Sequence, residues 1–298
     1  MGGRRAELTR LSTVAHASWA DPLTSALAAD ATVALESGSV LFLPNLRFIV
    51  NRDEQAIFSP SILASSKNTS FDPVSGRVAG TTLAGDEQAH LARIMSRFSD
   101  SAHTLINALF PRYRDHLIRA RASFRPAEIA GRQTSWRKDD TRLHIDSFPA
   151  SPVQGRRILR VFSNVNPASR ARSWRVGEDF ARVVARFASS LSSPIPGHAA
   201  LLRLLHITKS LRSPYDGLML QLHDRMKADA SFQATCEQEQ VDFPSGSTWI
   251  AFTDSVSHAA MAGQYQFEQT FLLPVGAMID ESQSPLRILE RLKGRPLA

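Results

Sequence analysis

His144 and Asp146 stand two residues apart at the head of residues 143–167, LHIDSFPASPVQGRRILRVFSNVNP. On an extended backbone, side chains at i and i+2 point to the same face, so this spacing brings an imidazole and a carboxylate together. One more imidazole would complete the 2-His-1-carboxylate triad that binds non-haem Fe(II) and leaves three coordination positions open. Those positions suit a bidentate 2-oxo acid and dioxygen. His258, which follows the short apolar run at 248–252 and the loop 253–257, is the expected third ligand. An HxD triplet alone is a weak signal: with nine histidines in the chain, chance supplies one with a probability of roughly one in three. What strengthens it is the setting, two strand ends meeting at the mouth of a barrel, where small-molecule sites lie.

The other histidines lack ligand spacing. His223-Asp224 falls inside an expected helix, where adjacent side chains diverge, and His198 and His206 lie on or near helical segments. The single cysteine, Cys236, leaves no zinc cluster and no disulfide, which fits a reducing compartment. No phosphate-binding glycine loop, dinucleotide fingerprint or nucleophile elbow occurs.

The elements that would position the triad can be read in outline. Residues 20–35 read as a helix and 40–43 as a short apolar strand, while the Gly, Ser, Asp and Pro content of 68–82 argues for a loop. Residues 86–110 are the clearest helix: Leu91, Ile94, Met95, Phe98, Ala102, Leu105, Ile106 and Leu109 share one face, and Pro111 follows. Residues 177–192, 199–209 and 213–229 read as helices, the last opening on a Ser213 cap with Pro214 at the first helical position. Residues 248–252 and 265–273 read as strands. Helices first, strands around the metal motif, a helical insertion and closing strands make an α+β pattern with a β-sandwich or jelly-roll core. The expectation is one domain, with a helical part over about 1–135, a core over about 136–280 and a helical insertion over about 177–230.

The chain has 298 residues, 43% of them hydrophobic, and a formal net charge of +7. That length supports a sizeable core, and the charge predicts an acidic partner. Nine basic residues between Arg112 and Arg142 lead into the HxD motif and read as an electropositive wall beside it. No secretory leader is expected, position 6 is Ala where myristoylation wants Ser or Thr, and no run approaches the ~20 apolar residues of a membrane span.

Residues 143–167, then YDGLMLQLHDRMK at 215–227, FPSGSTWIAFTDSVSHAAMAGQYQFEQTFLLP at 243–274 and SPLRILERLKGR at 284–295, resemble the 3-deoxy-D-manno-octulosonic acid (Kdo) hydroxylases. The likeness covers nearly the whole chain and is strongest from Leu143 onward. It implies an Fe(II)/2-oxoglutarate-dependent dioxygenase with a double-stranded β-helix core, using dioxygen as cosubstrate. The implied substrate is a Kdo sugar on the lipid A–inner core of lipopolysaccharide, hydroxylated at C3 to D-glycero-D-talo-oct-2-ulosonic acid with release of succinate and CO2. His144, Asp146 and His258 carry over as the metal ligands.

Many oxygenases of the wider superfamily hold the far carboxylate of 2-oxoglutarate with an Arg or Lys about ten residues beyond the distal histidine. Here that neighbourhood reads Phe267-Glu268-Gln269. Arg160 is therefore the expected anchor, with Asn164 on the same face, Arg157 facing the other way as the second choice, and Gln269 as a further neighbour. The partners implied are a Kdo-containing lipopolysaccharide precursor and an anionic membrane surface touched peripherally from the cytoplasm. No recognised nucleic-acid module is present. The rival readings are the same chemistry on another acidic substrate, and a non-catalytic sugar- or lipid-binding jelly roll.

Overall fold

The computed structural model describes residues 10–64, 67–192 and 197–298; the amino-terminal expectations about a leader and myristoylation fall outside the described residues. In chain order the strands are β1 (Leu11–Thr13), β2 (Val40–Leu43), β3 (Thr69–Phe71), β4 (Val78–Ala79), β5 (Ile118–Arg125), β6 (Arg157–Asn164), β7 (Arg172–Val176), β8 (Glu239–Phe243), β9 (Thr248–Phe252), β10 (His258–Ala262) and β11 (Gln266–Leu273). The helices are α1 (Ser25–Glu36), α2 (Arg52–Gln55), α3 (Gly85–Leu109), α4 (Phe180–Phe187), α5 (His198–Leu204), α6 (Pro214–Ala228), α7 (Ala230–Thr235) and α8 (Pro285–Lys293).

Two sheets face each other. The larger runs β1-β2-β9-β6-β11-β5-β3-β4 and the smaller β10-β7-β8. All pairings are antiparallel except β1 with β2. This is the expected α+β architecture with a jelly-roll core. Between the sheets lies an aromatic cluster in which the ring of Trp249 stacks on Phe243 at 4.1 Å and on Phe162 at 5.3 Å, and meets Trp174 edge-on at 5.6 Å. The other face of the large sheet is covered by α3, whose buried stripe is the one expected from the sequence. There Phe98 stacks on Phe267 at 5.2 Å. With both faces covered, seven of the eight residues of β11 are buried, so its alternation separates two interiors rather than core from water.

Three expectations need correction. The division at about residue 136 does not hold, because β2 and β5 are interior strands of the large sheet. The arginines of β5 masked its alternation, since Ala122 and Phe124 are buried while Arg121 is exposed. The loop expected at 68–82 contains the short β3–β4 pair. The helices expected at 177–192 and 199–209 are shorter, as α4 and α5; α5 stops at Leu204, beyond which Leu205 and Ile207 are more than half exposed and have no surface to pack against. By contrast α6 keeps its expected start: Ser213 accepts from Asp216 N–H while the Asp216 carboxylate accepts from Ser213 N–H, with Pro214 between them.

Candidate metal centre

His144 and His258 lie directly opposite each other, exchanging both backbone hydrogen bonds at 3.0 and 2.9 Å. That bridge is the whole strand character of the HxD motif, which is otherwise an extended segment pinned by Asp146 N–H donating to Thr253 O at 2.7 Å. One ligand atom from each of His144, Asp146 and His258 falls within a 4.8 Å group, and the three side chains are buried or nearly so. His144 Nδ1 meets Arg142 O at 2.8 Å, and His258 Nδ1 meets Val256 O at the same distance. A carbonyl can only accept, so each Nδ1 carries the proton and each Nε2 presents a lone pair. Burial first, then the neighbouring His258, holds the His144 pKa well below its ordinary value, and burial lowers that of His258 as well. Both rings are thus kept neutral, as ligands must be. Burial alone would raise the Asp146 pKa, but the neighbouring Arg160 guanidinium reverses this and keeps the carboxylate ionised. Two neutral imidazoles and one carboxylate converging on one point fit Fe(II).

The triad opens into a small cavity of about 60 Å³ between the sheets, lined also by Arg125, Asp140, Arg160, Arg172, Trp174 and Glu268. Trp174 lies flat against His258 at 5.0 Å. Arg160 Nη1 sits 3.0 Å from Asp146 Oδ2 but off the hydrogen-bonding direction, and 3.3 Å from Glu268 Oε1. It is therefore already engaged by two carboxylates. Arg125 is shared between Glu268 at 3.1 Å and Asp140 at 3.8 Å, and Lys67 meets Asp140 at 2.6 Å.

Arg172 differs from these. It is 2% exposed and its Nη1 donates to Gly263 O at 2.8 Å; among the described residues its Nε has no partner and no carboxylate lies within ion-pair distance. Burial, then the charge of Arg125, push its pKa down to about 9. The more distant Asp140, Glu128 and Glu268 offset this only in part, so a buried guanidinium with no directly paired carboxylate is costly, and an incoming anion would relieve it.

Of the four residues expected to hold 2-oxoglutarate, only Arg160 reaches the cavity. Arg157 faces the other side of the sheet, paired with Asp254 at 2.9 Å, bonded to Ser255 Oγ at 2.8 Å and lying 3.8 Å over the Phe252 ring. Asn164 shares the Arg160 face but lies beyond the cavity, where it donates to Arg170 O and Phe243 O. Gln269 points at α3, hydrogen-bonded to Ser99 and to Ala120 O. Arg172 was missed, although the alternation of β7 carries a signal for it: Trp174 and Val176 face inward, so Arg172 must as well. His223 stays outside the ligand group, with its ring edge-on to His144 at 5.5 Å; its Nδ1 and Asp224 Oδ1 are 2.9 Å apart, so these side chains meet rather than diverge.

The basic run splits. Arg125 lines the cavity, and Arg137 reaches Asp224 on α6 while Arg142 donates to Lys227 O. Arg112, Arg114 and Arg119 instead pair with groups around α3 and the 277 turn.

Across residues 18–296 the sequence matches the family described as 3-deoxy-D-manno-oct-2-ulosonic acid (Kdo) hydroxylase. The chain belongs to the Kdo hydroxylase family. Its likeness to solved members is close along the whole length. The Kdo hydroxylase KdoO, a non-heme Fe(II) alphaketoglutarate dependent dioxygenase, superposes in its cobalt(II) complex with a TM-score of 0.95, at 44% identity over 97% of both chains. KdoO with alphaketoglutarate and Fe(III) gives 0.94 at the same identity and coverage, and KdoO with succinate and Fe(III) gives 0.93. No curated protein matches the sequence. Among the described residues of this Kdo hydroxylase family member, no helix is long and apolar enough to cross a membrane.

Proposed function

We propose that this single-domain oxidoreductase is an Fe(II)/2-oxoglutarate-dependent dioxygenase that hydroxylates C3 of a lipopolysaccharide Kdo sugar, giving D-glycero-D-talo-oct-2-ulosonic acid. The observation that carries the reading is the pairing of two Nδ1-anchored imidazoles and an ionised carboxylate with a buried arginine that has no ion-paired carboxylate among the described residues, all in one cavity. His144, Asp146 and His258 hold the metal. Arg172, rather than Arg160, takes the far carboxylate of 2-oxoglutarate, because a planar guanidinium matches a carboxylate and this one has no other acid to satisfy. Bound there, Fe(II) would supply oxidative decarboxylation of 2-oxoglutarate by dioxygen to succinate and CO2, with one oxygen atom going to succinate and the other to the sugar hydroxyl.

The protein's own residues prepare that chemistry. The carbonyls of Arg142 and Val256 fix the histidine tautomers, Thr253 O holds the Asp146 backbone, and the charge of Arg160 beside it keeps the Asp146 carboxylate ionised. Trp174 and Phe162 close the cavity's apolar side against water. Arg160, Arg125 and Lys67 balance Asp146, Asp140 and Glu268, and a dianionic cosubstrate entering with a divalent metal leaves that net charge unchanged. The sugar's carboxylate and the phosphates of lipid A fit the surplus of basic residues, and a lipid-borne substrate calls for work at the cytoplasmic face of the inner membrane.

The test is direct. With Fe(II) and 2-oxoglutarate under anaerobic conditions, the weak metal-to-ligand charge-transfer absorption is expected in the wild type and should vanish in His144→Ala. Arg172→Met should keep metal binding while raising the KM for 2-oxoglutarate about 100-fold. Mass spectrometry of lipopolysaccharide should show one added oxygen on Kdo only with active enzyme. No charge-transfer band in the wild type would sink the oxygenase reading, and unaltered Kdo beside active turnover would sink the substrate.

A further inference from the structure

Exposed large apolar residues are scattered singly over most of this surface, as at Val33, Val74 and Leu292, which is ordinary. One stretch departs from that. Leu201, Leu204, Leu205, Ile207 and Leu211 are all more than half exposed, Leu204 reaching 74%. Five such side chains within one short stretch make a patch that a water-soluble surface normally avoids. The same stretch is free of acid: between Asp179 and Asp216 the sequence has no Asp or Glu, while Arg203 and Lys209 are exposed beside the leucines.

Its position is as telling as its chemistry. Lys209 N–H donates to Ala150 O at 2.9 Å, Arg212 Nη2 to Pro149 O at 2.7 Å, and Gln154 Nε2 to Leu211 O at 3.3 Å. The patch is thereby fastened to the loop that leaves Asp146 and carries Phe148, whose ring lies 5.4 Å from the Arg160 guanidinium. Three hydrogen bonds thus tie the patch to the rim of the metal site.

We propose that residues 201–212 are a membrane-docking element that seats the enzyme on an anionic phospholipid bilayer with its site turned to the lipid surface. This rests on the reading that the substrate is lipid-borne. The leucines and the isoleucine enter the boundary between headgroups and acyl chains, and Arg203 and Lys209 meet the phosphates, the pairing of apolar face and basic rim that interfacial segments use. A second copy of the chain fits less well. Two such faces pressed together would set Arg203 and Lys209 against like charges with no acid to answer them.

Flotation of the full-length protein with vesicles tests this. Vesicles of phosphatidylethanolamine and phosphatidylglycerol are compared with phosphatidylcholine, using wild type, Leu204→Ser/Leu205→Ser/Ile207→Ser and Arg203→Gln/Lys209→Gln. The triple variant is expected to lose at least tenfold in partition to anionic vesicles. The charge variant should lose several-fold, and wild-type binding should weaken with salt. Hydroxylation of detergent-dispersed Kdo–lipid by the triple variant should stay within twofold of wild type. Unchanged partition of the triple variant, equal wild-type binding to phosphatidylcholine, or a wild-type dimer in sedimentation that the substitutions dissolve would each overturn the proposal. So would loss of the triple variant's activity in detergent. If wild type docks but never hydroxylates the detergent-dispersed substrate, the proposed reaction fails and the docking element stands.

Discussion

Arg157 and Arg160, three residues apart on β6, meet carboxylates on opposite faces of the large sheet. Arg157 is fully buried with Asp254, a carboxyl whose pKa burial pushes up against the pull of the guanidinium. Removing one member of such a pair leaves an uncompensated buried charge, at a cost of about 3–5 kcal/mol. Arg157→Met is therefore expected to lower the thermal midpoint by roughly 5–10 °C while the folded fraction binds 2-oxoglutarate as before. Titration of cosubstrate at low temperature beside a melting curve checks both halves; loss of binding with the midpoint unmoved would return Arg157 to the site. Arg172 should behave in the opposite way. With no ion-paired acid among the described residues, its replacement by Met should leave the cofactor-free protein as stable as wild type or more so.

At the scale of elements, two junctions hold the site in shape. Gly263, at the turn from β10 to β11, has φ +115°, and a Cβ there would lie 2.7 Å from Arg172 Cδ. Its N–H is held by Glu128 and its carbonyl receives Arg172, so only glycine lets the strand pass this close to the guanidinium. The second junction is the start of α6. Asp216 closes the capping box with Ser213 and also accepts from Val153 and Gln154 N–H, tying the helix that carries His223 to the loop after Asp146. Asp216→Ala removes the cap and orphans buried backbone donors, for an expected loss of about 2 kcal/mol. Urea unfolding should show it as a lower midpoint with an unchanged slope, and cleavage by a protease within residues 147–154 should quicken. A midpoint within error of wild type would mean that the loop is held by other contacts.

For the molecule as a whole, the two sheets are joined by rings from Phe162, Trp174, Phe243 and Trp249, and the ligands sit at one end of that cluster, on β10 and on the segment bridged to it. Binding there should stabilise the entire fold, since ligands that favour the native state act by mass action, giving about 2.7 kcal/mol at a hundredfold excess over Kd. Adding Co(II) and then 2-oxoglutarate is expected to raise the melting temperature in two steps. His144→Ala should lose both, and Arg172→Met only the second. A full second step in Arg172→Met would assign the cosubstrate carboxylate to another residue, Arg160 first.

Much of this was legible in the chain because it is local. The i, i+2 spacing of His144 and Asp146, the apolar stripe of α3 and the Ser213-Pro214 start of α6 depend on neighbours within a few residues, and each is found where the sequence put it. The third ligand, far along the chain, needed only a histidine at a strand start. What the chain did not disclose is which arginine faces the cavity without an acid beside it. Arg160 has the right strand parity but pairs with Glu268 from β11; Arg172 has the same parity on β7 and pairs with no acid among the described residues. That difference is set by sheet order and register, which bring residues a hundred positions apart within hydrogen-bonding distance. Side-chain charge is written in the sequence, whereas its compensation is a property of the folded molecule alone.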